Sequence, residues 1–229
     1  MLVALIVWER SEFFLLKYLS SDIRQIAFYS VAFSLADRLM VGSAVFASAS
    51  GASIFAQYGR DKSRLPAMTA STFRYLALIS IPLHFIAAAL AAPALLLLYG
   101  GQYVGAVAVV TLAPLLCMPK AFIGPVQSLL QSTERQSYVI IATVLAGLVD
   151  IGVAWYLIPT HGAVGACIGS GAAQITAVGA MWAVGIYLYR IRLPWIQLGK
   201  IASISIMYSR GEARFSRPSL AALTSIILR

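Results

Sequence analysis

The chain has 229 residues, 60% of them hydrophobic and only 11% charged, with a net charge of +9 and a mean hydropathy of +0.85. A soluble domain carries about 25% charged residues, so the composition excludes an ordinary water-soluble enzyme or regulatory domain. The basic residues are spread over connections and not gathered in a patch, which argues against nucleic acid and fits attraction to anionic lipid.

A membrane span needs about 20 apolar residues, because ~30 Å of hydrocarbon is crossed at about 1.5 Å per residue. Six segments meet this in chain order: Met1–Leu19, Ile26–Ala56, Phe73–Ala92, Gly105–Leu130, Gln136–Ile158 and Gly162–Tyr189. The alternation of polar and apolar residues that marks barrel strands is missing. The expected fold class is all-α, a polytopic transmembrane helix bundle of six spans with an incomplete seventh.

The first helix carries Glu9, Arg10 and Glu12. Glu9 and Glu12 share a helix face, and two carboxylates side by side in low dielectric are expected to bind a proton or a cation. Arg10 points away from both and needs an acid on another helix, Asp37 or Asp150. An interhelical ion pair that only fixes packing would satisfy the same charges. In the second helix Asp37 and Arg38 are adjacent, face different directions and each require a partner elsewhere. His84, beside Pro82 in the third helix, reads as a hydrogen-bonded member of the bundle, and Arg74 as a headgroup anchor at that helix's start.

The fourth helix contains Pro114, Pro119 and Pro125, with Lys120 beside the middle one. Each internal proline removes a backbone hydrogen bond, and freed carbonyls are tolerated in hydrocarbon only against protein or a wet cavity. Lys120 lies roughly 15 Å of helix from the nearer end, further than a lysine snorkels comfortably. A kinked helix lining a polar path is therefore expected. Asp150 stands alone in the fifth helix. The sixth opens with Gly162, Gly165 and Gly169, small residues that let helix backbones approach closely. Cys117 and Cys167 fall inside helices and fit no metal spacing, and no phosphate loop, nucleophile constellation or haem motif is present, so neither a cofactor nor enzymatic activity is expected.

The connections alternate in charge. Gln57–Arg74 holds Arg60, Lys62, Arg64 and Arg74 against Asp61, Tyr99–Tyr103 has no charge, Ser132–Ser137 holds Glu134 and Arg135, Pro159–Gly162 is uncharged, and Arg190, Arg192 and Lys200 follow. Basic loops stay cytoplasmic, so the first helix runs outward and the sixth ends inside. Only Ser20–Gln25, with Asp22 and Arg24, breaks the bias, and its charges cancel. Residues 1–192 form the expected bundle, and 193–229 a tail in which Ile196–Tyr208 starts another segment before the polar run with Arg210, Arg214 and Arg217. Both ends read as incomplete, and the sharp break of hydrophobic pattern in the tail suggests a truncated or frame-shifted end.

Four runs carry a family resemblance: Arg10-Ser-Glu12-Phe-Phe-Leu-Leu, Ile26-Ala-Phe-Tyr29-Ser30-Val-Ala32-Phe, Leu98-Tyr99-Gly100-Gly101-Gln102-Tyr103 and Leu157-Ile158-Pro159-Thr160-His161-Gly162-Ala163-Val164-Gly165-Ala166. In order and spacing, over about residues 1 to 200, they resemble the second half of polysaccharide and oligosaccharide-lipid flippases. These belong to the multidrug/oligosaccharidyl-lipid/polysaccharide exporter superfamily. The resemblance implies one lobe of a two-lobe exporter in the bacterial cytoplasmic membrane. The implied job is to flip polyprenyl-pyrophosphate-linked oligosaccharide outward for O-antigen, capsule or exopolysaccharide export. Arg10, Arg38 and Lys120 are then candidates for offsetting pyrophosphate charge. Glu9, Glu12, Asp37 and Asp150 are candidates for coupling to H+ or Na+. The implied partners are the lipid-linked oligosaccharide, membrane lipids, a polysaccharide polymerase and glycosyltransferases. Rival readings are a cation-coupled multidrug exporter fragment, a scaffold or polymerase subunit of the pathway, and a nonfunctional transporter remnant.

The threading makes a direct prediction. Cysteines introduced at Arg60 and Gln102 should react with impermeant maleimide from opposite sides of the membrane, and labelling from one side would refute it.

Overall fold

A computed structural model describes residues 2–191 apart from 21, 59 and 60, and within its first two helices not the side chains of 2–10, 42, 43, 46, 47, 50, 55 and 58. Seven α-helices follow one another among the described residues: α1 Leu2–Leu19, α2 Arg24–Tyr58, α3 Leu65–Tyr99, α4 Val107–Cys117, α5 Ile123–Ser132, α6 Gln136–His161 and α7 Ala163–Tyr189. Short 3-10 turns at Lys62–Arg64, Gly101–Ala106 and Met118–Phe122 join them. Regular structure among the described residues is helical throughout, as composition predicts. Four stretches among these residues are long and apolar enough to cross a membrane: Lys62–Tyr99, Gly101–Ser132, Gln136–His161 and Ala163–Tyr189. The tail, with Ile196–Tyr208 and the boundary near residue 193, lies outside the described residues.

Two apolar clusters reveal the direction of each helix. Leu16, Tyr29, Ala32, Leu95, Val109, Ile158 and Ala166 pack together towards the ends joined by connections of no net charge. Ile54, Leu65, Phe73, Leu129, Val139 and Trp182 pack towards the other ends, where Lys62, Arg64, Arg135 and Arg190 lie. Successive long segments therefore run antiparallel, with α4 and α5 acting together as one. The basic residues among these share one end of the bundle.

Three differences from the sequence reading have local causes. The stretch expected as one helix over Gly105–Leu130 is divided by the 3-10 turn at Met118–Phe122. Pro119 supplies no backbone N–H, and the chain tightens there instead of bending smoothly. The carbonyl of Phe122 accepts a hydrogen bond from Trp182 Nε1 at 3.0 Å, so protein covers the irregular backbone. Second, α3 starts at Leu65, not Phe73, because Pro66 stands at the first turn, where its missing N–H costs nothing. Arg74 consequently sits inside α3, not at its start. Third, α3 continues to Tyr99, where Gly100 takes φ 74° and the chain leaves the helix.

The aqueous ends are ordered by short polar contacts. Asp61 Oδ1 accepts from Ser63 N at 2.9 Å and Ser63 Oγ at 2.7 Å, and these bonds hold its carboxyl below the usual range. Asp22 is held low in the same way by Arg24. At the opposite end from Asp61, Gln25 Oε1 accepts from Ala163 N at 3.0 Å and ties the start of α2 to the start of α7.

Gly165 and Gly169 of α7 are where α6 and α7 approach. A Cβ on Gly165 would lie 2.6 Å from the Leu157 backbone, and one on Gly169 would lie 3.0 Å from Ala154 Cβ. The small-residue spacing thus marks a close backbone contact, as the sequence suggested. Replacing Gly165 by Val should lower the melting temperature of the detergent-solubilised chain by the equivalent of about 1–3 kcal/mol, the usual cost of overpacking. Gly147→Ala, where a Cβ meets nothing within 4 Å, should not lower melting and gains the helix preference of alanine. Equal melting of all three proteins would refute the close packing.

Candidate functional site

Helix α1 brings Ser11 and Glu12 into the bundle, and α6 brings Asp150 against them. Glu12 is 2% exposed and Asp150 0%. Ser11 Oγ donates to Asp150 Oδ2 at 2.9 Å and stands 3.5 Å from Glu12 Oε2. Tyr29 on α2 and Ser170 on α7 bring their hydroxyls beside the Glu12 carboxyl. Four helices thus converge on two carboxyl groups and three hydroxyls.

This arrangement has an open place. Asp150 Oδ1 is buried and finds no partner among the described residues. It points towards Gly169, where an added Cβ would lie 3.2 Å away, so the glycine leaves room for the carboxylate. Two carboxyl groups that share one serine hydroxyl in low dielectric can take up a proton or a cation, or leave one of them neutral. Oxygen donors of this kind suit a proton or a hard cation.

A polar chain leads away from the acids along α7. Gln174 lies one turn beyond Ser170, and its Nε2 donates to Ser170 Oγ at 3.4 Å and to Cys117 Sγ at 3.6 Å. Gln174 Oε1 is buried and unbonded among the described residues. Cys117 ends α4, immediately before the turn that carries Lys120, which is partly buried.

The expected site residues are therefore distributed unevenly. Glu12 and Asp150 meet. Glu9 and Arg10 lie on α1, but their side chains are outside the described residues. Asp37 and Arg38 are both exposed on α2 and do not join the acid pair. His84 is fully buried, with Nδ1 bonded to the Ser80 carbonyl at 2.6 Å, the bundle role the sequence gave it. Its Nε2 has no partner among the described residues.

The sequence reading missed Ser11, Tyr29, Ser170 and Gln174. The four-residue spacing of Ser170 and Gln174 was a usable signal, since it places an hydroxyl and an amide on one helix face. It also missed a stripe on α2. Ser34, Asp37, Arg38, Val41, Ala44, Val45 and Ser48 are exposed at helical spacing, a face of mixed polarity with two charges at its centre. Exposed faces elsewhere are apolar, with Leu78, Ile79 and Leu90 on α3 and Ile141, Leu148 and Trp155 on α6. Charges at mid-depth are costly against acyl chains, so the α2 stripe faces water or another protein surface, while α3 and α6 face lipid.

Fold and site together define a multi-pass α-helical membrane protein with a buried acidic cluster beside a charged outer face. Comparison with known families agrees: residues 2–108, a little under half the chain, match the model of a family described as polysaccharide biosynthesis protein. The match, with the apolar helices, supports a polysaccharide-related membrane protein. It spans α1 to the first residues of α4, and so includes Glu12 and the α2 stripe but not Asp150. No curated protein and no solved structure matches the chain.

The geometry predicts strong coupling across the cluster. Ser11→Ala should destabilise the solubilised chain by about 1–2 kcal/mol, since a buried carboxyl loses its donor. In a double-mutant cycle with Asp150→Ala the two effects should be clearly non-additive, and strict additivity would mean that the 2.9 Å bond does not form.

Proposed function

We propose that the chain is part of a bacterial cytoplasmic-membrane transporter, not an enzyme, which flips polyprenyl-pyrophosphate-linked oligosaccharide during polysaccharide export. H+ or Na+ would be coupled through the Glu12–Asp150 pair. The observation that carries this reading is the buried acid pair, joined by Ser11 and set in a bundle whose first half matches a polysaccharide biosynthesis family.

A flippase must move a large anionic headgroup past hydrocarbon while its lipid tail stays in the bilayer. The α2 stripe supports such a path: Arg38 offers a guanidinium for pyrophosphate, and Ser34 and Ser48 offer hydroxyls for sugar. Lys120 sits in the irregular turn between α4 and α5, where helix geometry already departs from regularity and a hinge costs least. Arg10 remains a third candidate cation. The acid pair bridges α1 and α6, so filling it with a proton or sodium changes the repulsion between those helices. Alternating access needs such a coupling between ion and helix position. Asp37, on the α2 stripe, and Glu9 stay candidates for the ion's route. Glycosyltransferases and a polymerase acting on the same lipid-linked sugar would be its functional partners.

The test is restoration of surface polysaccharide in bacteria lacking their own oligosaccharide-lipid exporter. Arg38→Ala and Lys120→Ala should each lower surface polysaccharide roughly 10- to 100-fold, the loss expected for a charge-assisted contact, with membrane abundance unchanged. Glu12→Gln and Asp150→Asn should remove the dependence of export on pH or sodium. Unchanged polysaccharide would take Arg38 and Lys120 out of the path. Drug resistance without polysaccharide would move the function to a cation-coupled multidrug exporter.

A further inference from the structure

The basic end of α2 and α3 holds a binding place separate from the acid pair. Ser53 on α2 and Arg64, Met68, Ser71, Thr72 and Tyr75 at and after the start of α3 line a groove of about 460 Å³. That volume falls among small-molecule clefts, roughly 300–1,000 Å³. Residues 64, 68, 71 and 75 recur at helical spacing, so the groove runs along one face of α3. Met68 and Tyr75 give it an apolar floor, and hydroxyls and a guanidinium form its rim.

Charge gathers at that rim. Arg64 is largely exposed and spends one donor, Nε, on Asp61 Oδ2 at 3.3 Å, while a guanidinium has five N–H donors. Asp61 is itself engaged by Ser63. Arg74 lies 5.4 Å from the centroid of the Tyr75 ring and adds a second exposed cation beside the groove. Lys62 is exposed in the same turn as Arg64.

Depth decides what meets this rim. Helix α3 has 35 residues, about 52 Å of length, against ~30 Å of hydrocarbon. About 11 Å is left over at each end if the overhang is equal, which sets Arg64 in the headgroup layer and Arg74 within snorkelling reach of it. Beyond Tyr75 the exposed face of α3 continues as Leu78, Ile79, Leu83, Ile86 and Leu90, without a polar residue exposed among them. One molecule satisfies both parts: a phosphate at the rim and acyl chains along the stripe. An oligosaccharide would find few partners on a floor of Met68 and Tyr75.

We propose that this groove binds the headgroup of an anionic glycerophospholipid of the cytoplasmic leaflet, with Arg64 and Arg74 holding its phosphate and the outer face of α3 holding its acyl chains. The site requires only that the chain spans a membrane and stands apart from what the protein transports.

The experiment is native mass spectrometry of the full chain in detergent, with phosphatidylglycerol, phosphatidylethanolamine and undecaprenyl pyrophosphate as probes. The wild type should retain phosphatidylglycerol in preference to phosphatidylethanolamine. Arg64→Ala with Arg74→Ala should weaken that retention roughly 25-fold, about fivefold for each cation at a membrane surface. Ser71→Trp, which fills the groove without changing charge, should also release the lipid, and Arg135→Ala should not. Equal retention of the two phospholipids, or unchanged retention in the double variant, would overturn the site. Displacement of phosphatidylglycerol by equimolar undecaprenyl pyrophosphate would overturn the assigned occupant.

Discussion

Hydrocarbon offers the backbone no hydrogen-bond partner, and every feature of this bundle follows from how that demand is met. Helices α3, α6 and α7 run for 26 to 35 residues and satisfy most of their own N–H and C=O groups, the gaps falling at Pro82 and Pro93 in α3 and Pro159 in α6. Where the ladder is interrupted, another helix covers the gap. The turn at Met118–Phe122 is the clearest case, since the Trp182 indole bonds the Phe122 carbonyl and packs its ring edge against Phe73, 4.7 Å between centroids. A proline-broken segment is therefore tolerated because α7 and α3 stand beside it.

Polar side chains obey the same demand at higher cost. Glu12 and Asp150 would each be expensive alone, and the bundle offsets this by placing hydroxyls from α1, α2 and α7 around them. Close approach of α6 to α7 is a precondition. Gly165 and Gly169 let the two backbones meet, and the missing Cβ at Gly169 leaves space for Asp150. Packing and chemistry are thus one problem here: the small residues that tighten the bundle also position its acids. The α2 stripe is the counterpart on the outside, with Asp37 and Arg38 exposed where acyl chains could not solvate them.

Local chemistry is readable from the chain because it depends on neighbours in sequence. Apolar runs of span length, the glycines that open α7, and the prolines clustered near Lys120 act through the residues beside them. Even so, hydropathy places the start of α3 at Phe73 instead of Leu65, since polar Thr69, Ser71 and Thr72 resemble a loop in such a count. In the helix, the Thr69 hydroxyl bonds the Leu65 carbonyl at 2.9 Å and hides its polarity. The α2 stripe escapes notice for a related reason, because a few serines scattered among alanines and valines carry little weight in an average.

Sequence alone determined that the chain is helical, membrane-embedded and antiparallel in its successive spans, because length, hydropathy and loop charge are properties of consecutive residues. It also placed Glu12 beside Glu9 on one face of the first helix and left Asp150 alone in the fifth or opposite Arg10. Only the tertiary structure decided that Glu12 and Asp150 are each other's neighbours, through a serine 139 residues from the aspartate in the chain. The pairing of α1 with α6 arises from the packing of several helices at once, and no local spacing encodes it.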